Sequence, residues 1–176
     1  MSTIDLMILG ILTEGPKSAY EITNHIADRQ VTRLLKVSDP AVYKSCKRMY
    51  QNGFLKGKLI SAGAQPKKTV YSLNSNGKKR FYDLMTQYSS DIKPFFIEFN
   101  TFIWNLDKVE KEDGLKMLCN LKDELKTMES WIVEHEREAR EVVSIPARLV
   151  IKQYAMLIST LVNWSIDAIN EYKKIQ

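Results

Sequence analysis

Basic, aromatic and amide side chains recur at short intervals along the first half of this 176-residue chain. Tyr43, Lys44, Lys47 and Gln51 fall at spacings of one, three and four, so a helix over residues 38–53 would place them on one face. Lys17 and Tyr20 precede them, and Gln65, Lys67 and Lys68 follow in a stretch rich in Gly, Pro and Lys. Lysines in such a pattern neutralise phosphates, while Ser38, Tyr43 and Gln65 can hydrogen-bond phosphate oxygens or base edges. Any one lysine is better explained as a solvated surface charge; the set is what points to nucleic-acid binding. Bond-making chemistry finds little support. The two histidines, His25 and His135, are far apart in sequence, and no CxxC, HExxH or Gly-rich phosphate loop is present. No catalytic residue, metal site or cofactor is therefore expected, and the chain is read as a non-enzyme.

Those side chains need a scaffold, and the periodicity supplies one. Thr3 can cap a first helix in which Ile4, Met7, Ile8, Ile11 and Leu12 repeat at three and four, ended by Gly15-Pro16. Ser18 caps a second helix to about Arg29, with Tyr20, Ile22, Ile26 and Ala27 as inward or contact positions. A connector follows over residues 30–37, its Leu34, Leu35 and Val37 expected to tuck into the core. The third helix, residues 38–53, has Ser38 or Asp39 as cap, Pro40 in its first turn and Gly53 as stop. Its inward positions are Val42, Cys46, Met49 and Tyr50. Residues 54–61 and 69–73 read as two strands around a cationic loop, residues 62–68. Three helices and a hairpin in this order make a winged helix-turn-helix, whose third helix enters the major groove while the loop reaches the backbone alongside.

Asn74 to Gly77 lead into a fourth helix with Phe81, Leu84, Met85 and Tyr88 on one face. Ser89, Ser90, Asp91 and Pro94 then punctuate the chain, giving a DNA-binding domain over residues 1–90 and an all-α domain over 91–176. The second domain should open with an aromatic helix from Pro94 to Trp104. A long helix from about Lys108 to Val143 follows, in which Leu118, Leu121, Leu125, Met128 and Ile132 form a heptad seam that continues through His135, Ala139 and Val142. Ser144 and Pro146 start a last helix to about Lys173, apolar almost all round over Tyr154–Ile169. A helix of that kind needs more than one partner, and a second copy of the chain is the simplest extra one. The expected C2 interface uses the seam residues with Leu157, Leu161 and Trp164. Phe95, Phe96, Phe99, Trp104 and Trp164 are candidates for binding a small aromatic or hydrophobic effector, the alternative being that these rings only pack the junction.

The net charge of +5 conceals an asymmetry: residues 1–90 carry 14 Lys and Arg against 6 Asp and Glu, residues 91–176 12 against 15. A basic half followed by a mildly acidic one fits a nucleic-acid module joined to a protein-interaction module. Cys46 and Cys119 lie in separate helical patterns, as reduced thiols in the cytoplasm would. Cys46 reads as a buried small hydrophobe rather than a redox switch. Met1 to Asp5 have no basic region ahead of a hydrophobic run, so no signal peptide is expected. The longest charge-free stretch, Gln153–Ile166, has 14 residues. It is too short and polar for a membrane span by the usual measure of about 18 apolar residues.

The residues Ile8-Leu9-Gly10-Ile11-Leu12 with Gly15-Pro16, Ala19-Tyr20-Glu21-Ile22, Val42-Tyr43, Lys47-Arg48-Met49, Gly53-Phe54-Leu55 and Val70-Tyr71-Ser72-Leu73 before Gly77 together resemble the PadR family of bacterial transcriptional regulators. The likeness covers most of residues 4–80; beyond that it rests on helical pattern and length. Ala19, Cys46 and Asn74 depart from the usual glycine, leucine and threonine. The resemblance implies a homodimer bound to an inverted-repeat operator in double-stranded DNA, usually as a repressor, and often released by a phenolic or hydrophobic small molecule. A winged-helix adaptor that binds protein and not DNA is the competing class.

Overall fold

A computed structural model describes residues 3–28, 37–60, 68–92, 94–139 and 143–174. The chain falls into two compact units, Met1–Pro94 and Phe95–Gln176. In the first, α1 (Thr3–Thr13), β1 (Lys17–Ser18), α2 (Ala19–Asp28) and α3 (Asp39–Gln51) precede β2 (Leu55–Ile60), β3 (Lys68–Leu73) and α4 (Ser75–Ser90). The sheet is antiparallel in the order β1-β3-β2, with Lys17 opposite Tyr71 and Leu55 opposite Leu73. The two-residue strand β1 is absent from the sequence reading, because so short a strand has no alternation to detect. Leu34, Leu35 and the hairpin loop with Gln65 and Lys67 lie outside the described residues.

One core unites these elements. Ile8, Leu9, Ile11 and Leu12 of α1, Ala19, Ile22 and Ile26 of α2, and Val42, Cys46 and Met49 of α3 are buried together with Leu55 and Leu84. Each fully buried aliphatic side chain contributes about 1.5–3 kcal/mol, so this cluster fixes how the three helices face one another. Tyr20 and Ala27 are exposed, so α2 turns inward through Ala19, Ile22, Thr23 and Ile26 instead. Of the expected α4 face Leu84 is buried and Phe81 packs against the core, while Met85 and Tyr88 face solvent.

Helix ends in this unit are tied by side chains. Ser18 and Glu21 form a capping box: the Ser18 N–H and Oγ–H both donate to Glu21 Oε2 at 2.7 Å, and Glu21 N–H donates back to Ser18 Oγ at 3.3 Å. Asn74 caps α4 by accepting from Gly77 N–H at 2.8 Å, and its Nδ2 donates to the Gly53 carbonyl at 2.9 Å. A β-carbon on Gly77 would lie 2.2 Å from the Phe54 carbonyl oxygen, so only glycine fits there.

The second unit holds α5 (Asn100–Ile103), a 3-10 turn (Leu106–Lys108), α6 (Lys111–Ala139) and α7 (Ile145–Lys174). The expected Pro94–Trp104 helix shrinks to the single turn α5. Phe95 and Phe96 are 75% and 90% exposed, so no packing offsets the cost of starting a helix there. The long helix begins three residues later than expected, after the 3-10 turn, and residues 140–142 lie outside the described residues. α6 and α7 pack antiparallel: Gly114 near the start of α6 leaves room for the ring of Tyr172 near the end of α7, whose hydroxyl donates to the Leu106 carbonyl at 3.0 Å.

The heptad seam is present but its principal partner lies in the same chain. Leu118, Leu125 and Ile132 are buried within the single chain, as are Ile151, Ile158, Val162, Ser165 and Ile169 of α7. Leu121, Leu161 and Trp164 are half-buried, and Met128 and Leu157 are exposed. The seam is thus largely spent on the α6–α7 hairpin, not held open for another copy. Among the described residues α7 is also the one helix long and apolar enough to cross a membrane by length and composition. The single charges Lys152 and Asp167, which bound the shorter charge-free run, do not interrupt that wider window.

Replacing Asn74 by alanine should lower the unfolding free energy by about 1–2 kcal/mol, the cost of one cap and one further hydrogen bond. Urea denaturation followed by circular dichroism measures it.

Candidate nucleic-acid interface

α3 is an amphipathic helix whose orientation is fixed from three sides. Val42, Ser45, Cys46 and Met49 are buried beneath it. On one flank Arg48, whose guanidinium also lies 3.3 Å from Ser45 Oγ, donates to Asp5, a carboxylate of α1 that is almost wholly buried. On the other flank the ring of Tyr50 lies over Gly57 of β2, where a β-carbon would come within 3.0 Å, and tilts against Tyr71 of β3 at 6.1 Å. Burial, above all, pushes the Tyr71 hydroxyl above its ordinary range. Tyr50 is therefore half exposed and faces the hairpin, whereas its spacing pointed inward.

The helix starts at Ser38, whose carbonyl accepts from Ala41 and Val42 N–H at 3.0 and 3.1 Å, but whose hydroxyl makes no capping bond. Pro40 sits in the first turn, and Gly53 ends the helix with φ +75°, a conformation other residues rarely adopt. With the buried face and both flanks occupied, Tyr43, Lys44, Lys47 and Gln51 are left exposed together, as their spacing requires.

The remaining expected contacts are distributed around α3. Tyr20 is 63% exposed on α2, Lys17 is half-buried on β1, and Ser38 is exposed. Lys68 opens β3 opposite Ile60, at the base of the loop. Its ammonium is not open to solvent alone: Nζ lies 3.1 Å from Glu21 Oε1. The bonds from Ser18 and then from Lys68 hold the Glu21 carboxyl down to about 2, from its ordinary 4.5. Both partners are about half exposed, so the pair alone is worth less than about 1 kcal/mol. Lys56 and Lys58 on β2 are exposed as well and share a sheet face with Lys68, a clustering visible in the alternation of residues 56–60.

Sequence reasoning passed over Asp5, Arg48 and Glu21. The signal for Glu21 was the Ser18-x-x-Glu21 pattern; for Asp5 it was a carboxylate on the apolar stripe of α1, with Arg48 far along the chain to answer it. Of the five aromatic residues proposed for an effector, the structure brings two together. Phe99 stacks on Trp164 at 5.7 Å and 22°, whereas Phe95, Phe96 and Trp104 stand largely exposed.

Three helices around one core, a hairpin packed beside the third and a basic face left outward define a winged helix-turn-helix protein. Residues 8–83 match the transcriptional regulator PadR-like family. The negative transcriptional regulator PadR of Bacillus subtilis (strain 168) is 24% identical over 119 residues, covering 66% of this chain and 65% of that protein, so the chain spans just under two thirds of that relative's length. The fold is similar to that of Bacillus subtilis PadR in complex with operator DNA, with a TM-score of 0.82 and 17% identity over 98% of each chain. It is equally similar to Bacillus subtilis PadR in complex with p-coumaric acid, with a TM-score of 0.82 and 16% identity over 98% of this chain and all of that one.

Cys46 lies inside the core, where burial, with Asp5 adding to it, pushes its thiol up to about 12. A thiol so placed is neither ionised nor reachable at neutral pH. In a titration with a chromogenic disulfide at pH 8, the half-buried Cys119 should react first and Cys46 only on addition of denaturant. Release of two equivalents from the native protein at one rate would contradict this placement.

Proposed function

We propose that this chain is a homodimeric, sequence-specific DNA-binding transcriptional regulator that acts as a repressor and is released from its operator by a small hydrophobic or phenolic molecule. The observation that carries the reading is the outward face of α3. Tyr43, Lys44, Lys47 and Gln51 are exposed together on a helix whose other sides are taken by the core, by Asp5 and by the hairpin. In this reading α3 enters the major groove, with Ser38, Tyr43, Lys44 and Lys47 meeting bases or phosphates. Lys17 and Tyr20 meet phosphates, and Gln65 and Lys67 of the loop reach the backbone or minor groove. The family match supports a role in transcription and in the cytoplasm, and the operator complex of Bacillus subtilis PadR supports the docking mode.

Pairing of two copies rests on α7. Ile145, Leu149 and Met156 form an exposed apolar stripe on the side away from its buried residues. With the seam largely occupied inside the chain, this stripe, with Leu157 and Met128, is exposed apolar surface that a C2 partner could cover. Two copies would present two α3 helices to half-sites of an inverted repeat about one helical turn, or a multiple, apart. The stacked Phe99 and Trp164 offer flat apolar surface to an aromatic effector, and p-coumaric acid on Bacillus subtilis PadR supports the phenolic class.

Fragments selected from genomic DNA supply the operator for the test. The affinity should fall steeply with salt, and Lys44→Ala and Lys47→Ala should each flatten the log–log slope by about 0.9 for every phosphate that the variant no longer neutralises. Addition of p-coumarate or related phenols should release the DNA. Affinity indifferent to salt would favour the adaptor class, and affinity indifferent to a panel of phenolic and apolar compounds would remove the effector.

Sedimentation equilibrium should give twice the 20.4 kDa chain mass. The pair Leu149→Glu and Met156→Glu should return it to one chain with helicity unchanged. Leu125→Ala should instead destabilise the hairpin itself, by about 2–5 kcal/mol.

A further inference from the structure

Lys68 stands at the base of the loop, in the place where a winged-helix lysine would meet a phosphate, yet it is paired. Its Nζ lies 3.1 Å from Glu21 Oε1, and the other oxygen of that carboxylate takes both the N–H and the Oγ–H of Ser18 at 2.7 Å. Glu21 is thus an anchored anion at the start of α2, not a mobile surface carboxylate. The capping box holds it in place whether or not Lys68 is present, and its carboxyl stays ionised well below neutral pH. Lys68 meanwhile begins β3, so the ion pair joins the helix-turn-helix to the strand from which the loop springs.

We propose that Glu21 is a positioning residue of the DNA-binding surface: it clamps Lys68 at the root of the wing and keeps that lysine from serving as a phosphate ligand. A phosphate drawn to Lys68 would also meet the fixed negative charge about 3 Å beyond it, and that repulsion offsets about half of the attraction. The backbone-contacting charge then rests with Lys44, Lys47, Lys17 and Lys67. The arrangement limits sequence-independent affinity, which counterion release at each added phosphate would otherwise raise. The proposal rests on the DNA-binding reading given above.

The test measures binding of the full chain to a mixed-sequence duplex across a salt series, for wild type, Lys68→Met, Glu21→Gln and the double variant. Glutamine at position 21 retains an oxygen to accept from Ser18, so the cap survives, and circular dichroism checks the fold. Lys68→Met should leave the salt slope unchanged and the affinity within about twofold, as expected of a lysine that releases no counterion. Glu21→Gln frees Lys68 and should tighten binding by about three- to tenfold with a slope steeper by about 0.9 per protomer, an increase absent from the double variant. A slope flattened by about 0.9 per protomer in Lys68→Met makes Lys68 an ordinary phosphate ligand and overturns the proposal. So does a Glu21→Gln variant indistinguishable from wild type. A wild-type chain that binds no duplex at any salt overturns the DNA-binding reading itself, a result distinct from either of these.

Discussion

Everything the first unit offers to a partner depends on burying one side of α3. Val42, Cys46 and Met49 meet α1 and α2 in a core where most residues are less than a tenth exposed, and that packing decides which of the remaining side chains can point outward. The core alone would allow the helix to roll. Arg48 on Asp5 and Tyr50 over Gly57 stop it on either flank, the first through a nearly buried carboxylate and the second through an approach so close that a β-carbon on residue 57 would press on the Tyr50 ring. A buried charge is costly unless answered, so Asp5 makes the position of Arg48 close to obligatory. The outward face of α3 is therefore a remainder: it consists of the residues to which no packing role was given.

The same economy governs the second unit. α6 and α7 carry apolar residues at heptad intervals and satisfy each other first, since two helices joined by a short connection meet far more readily than two chains in solution. Gly114 permits the close crossing at one end, where Tyr172 reaches the Leu106 carbonyl. What α7 has left after this pairing includes the exposed apolar residues Ile145, Leu149 and Met156, which lie apart from the buried seam.

Much of this was legible in the sequence wherever one periodicity dominated. The outward positions of α3 followed from the inward ones, and Gly53 announced the end of the helix. The seam at Leu118, Leu125 and Ile132 was equally plain, but a heptad pattern states that a partner exists and not which chain supplies it. Asp5, Arg48 and Glu21 escaped because each does its work across a gap in sequence, 43 residues for Asp5 and Arg48 and 47 for Glu21 and Lys68. Periodicity reports faces, and long-range charge pairing leaves no trace in it. The aromatic segment after Pro94 failed for a different reason. Rings at helical spacing make a helix when something covers them, and among the described residues Phe95, Phe96 and Trp104 stand largely exposed.

One junction carries a mechanical consequence. The α4 backbone at Gly77 lies directly against the Phe54 carbonyl, and Asn74 bonds both Gly77 N–H and the Gly53 carbonyl. The spacing there is set by main chain, by the Asn74 amide and by the Leu73 side chain. The end of α3 and the beginning of α4 are thus tied together at one point. A shift of α4 against the end of α3 must therefore move main chain, since the contact at Gly77 is made by backbone on backbone.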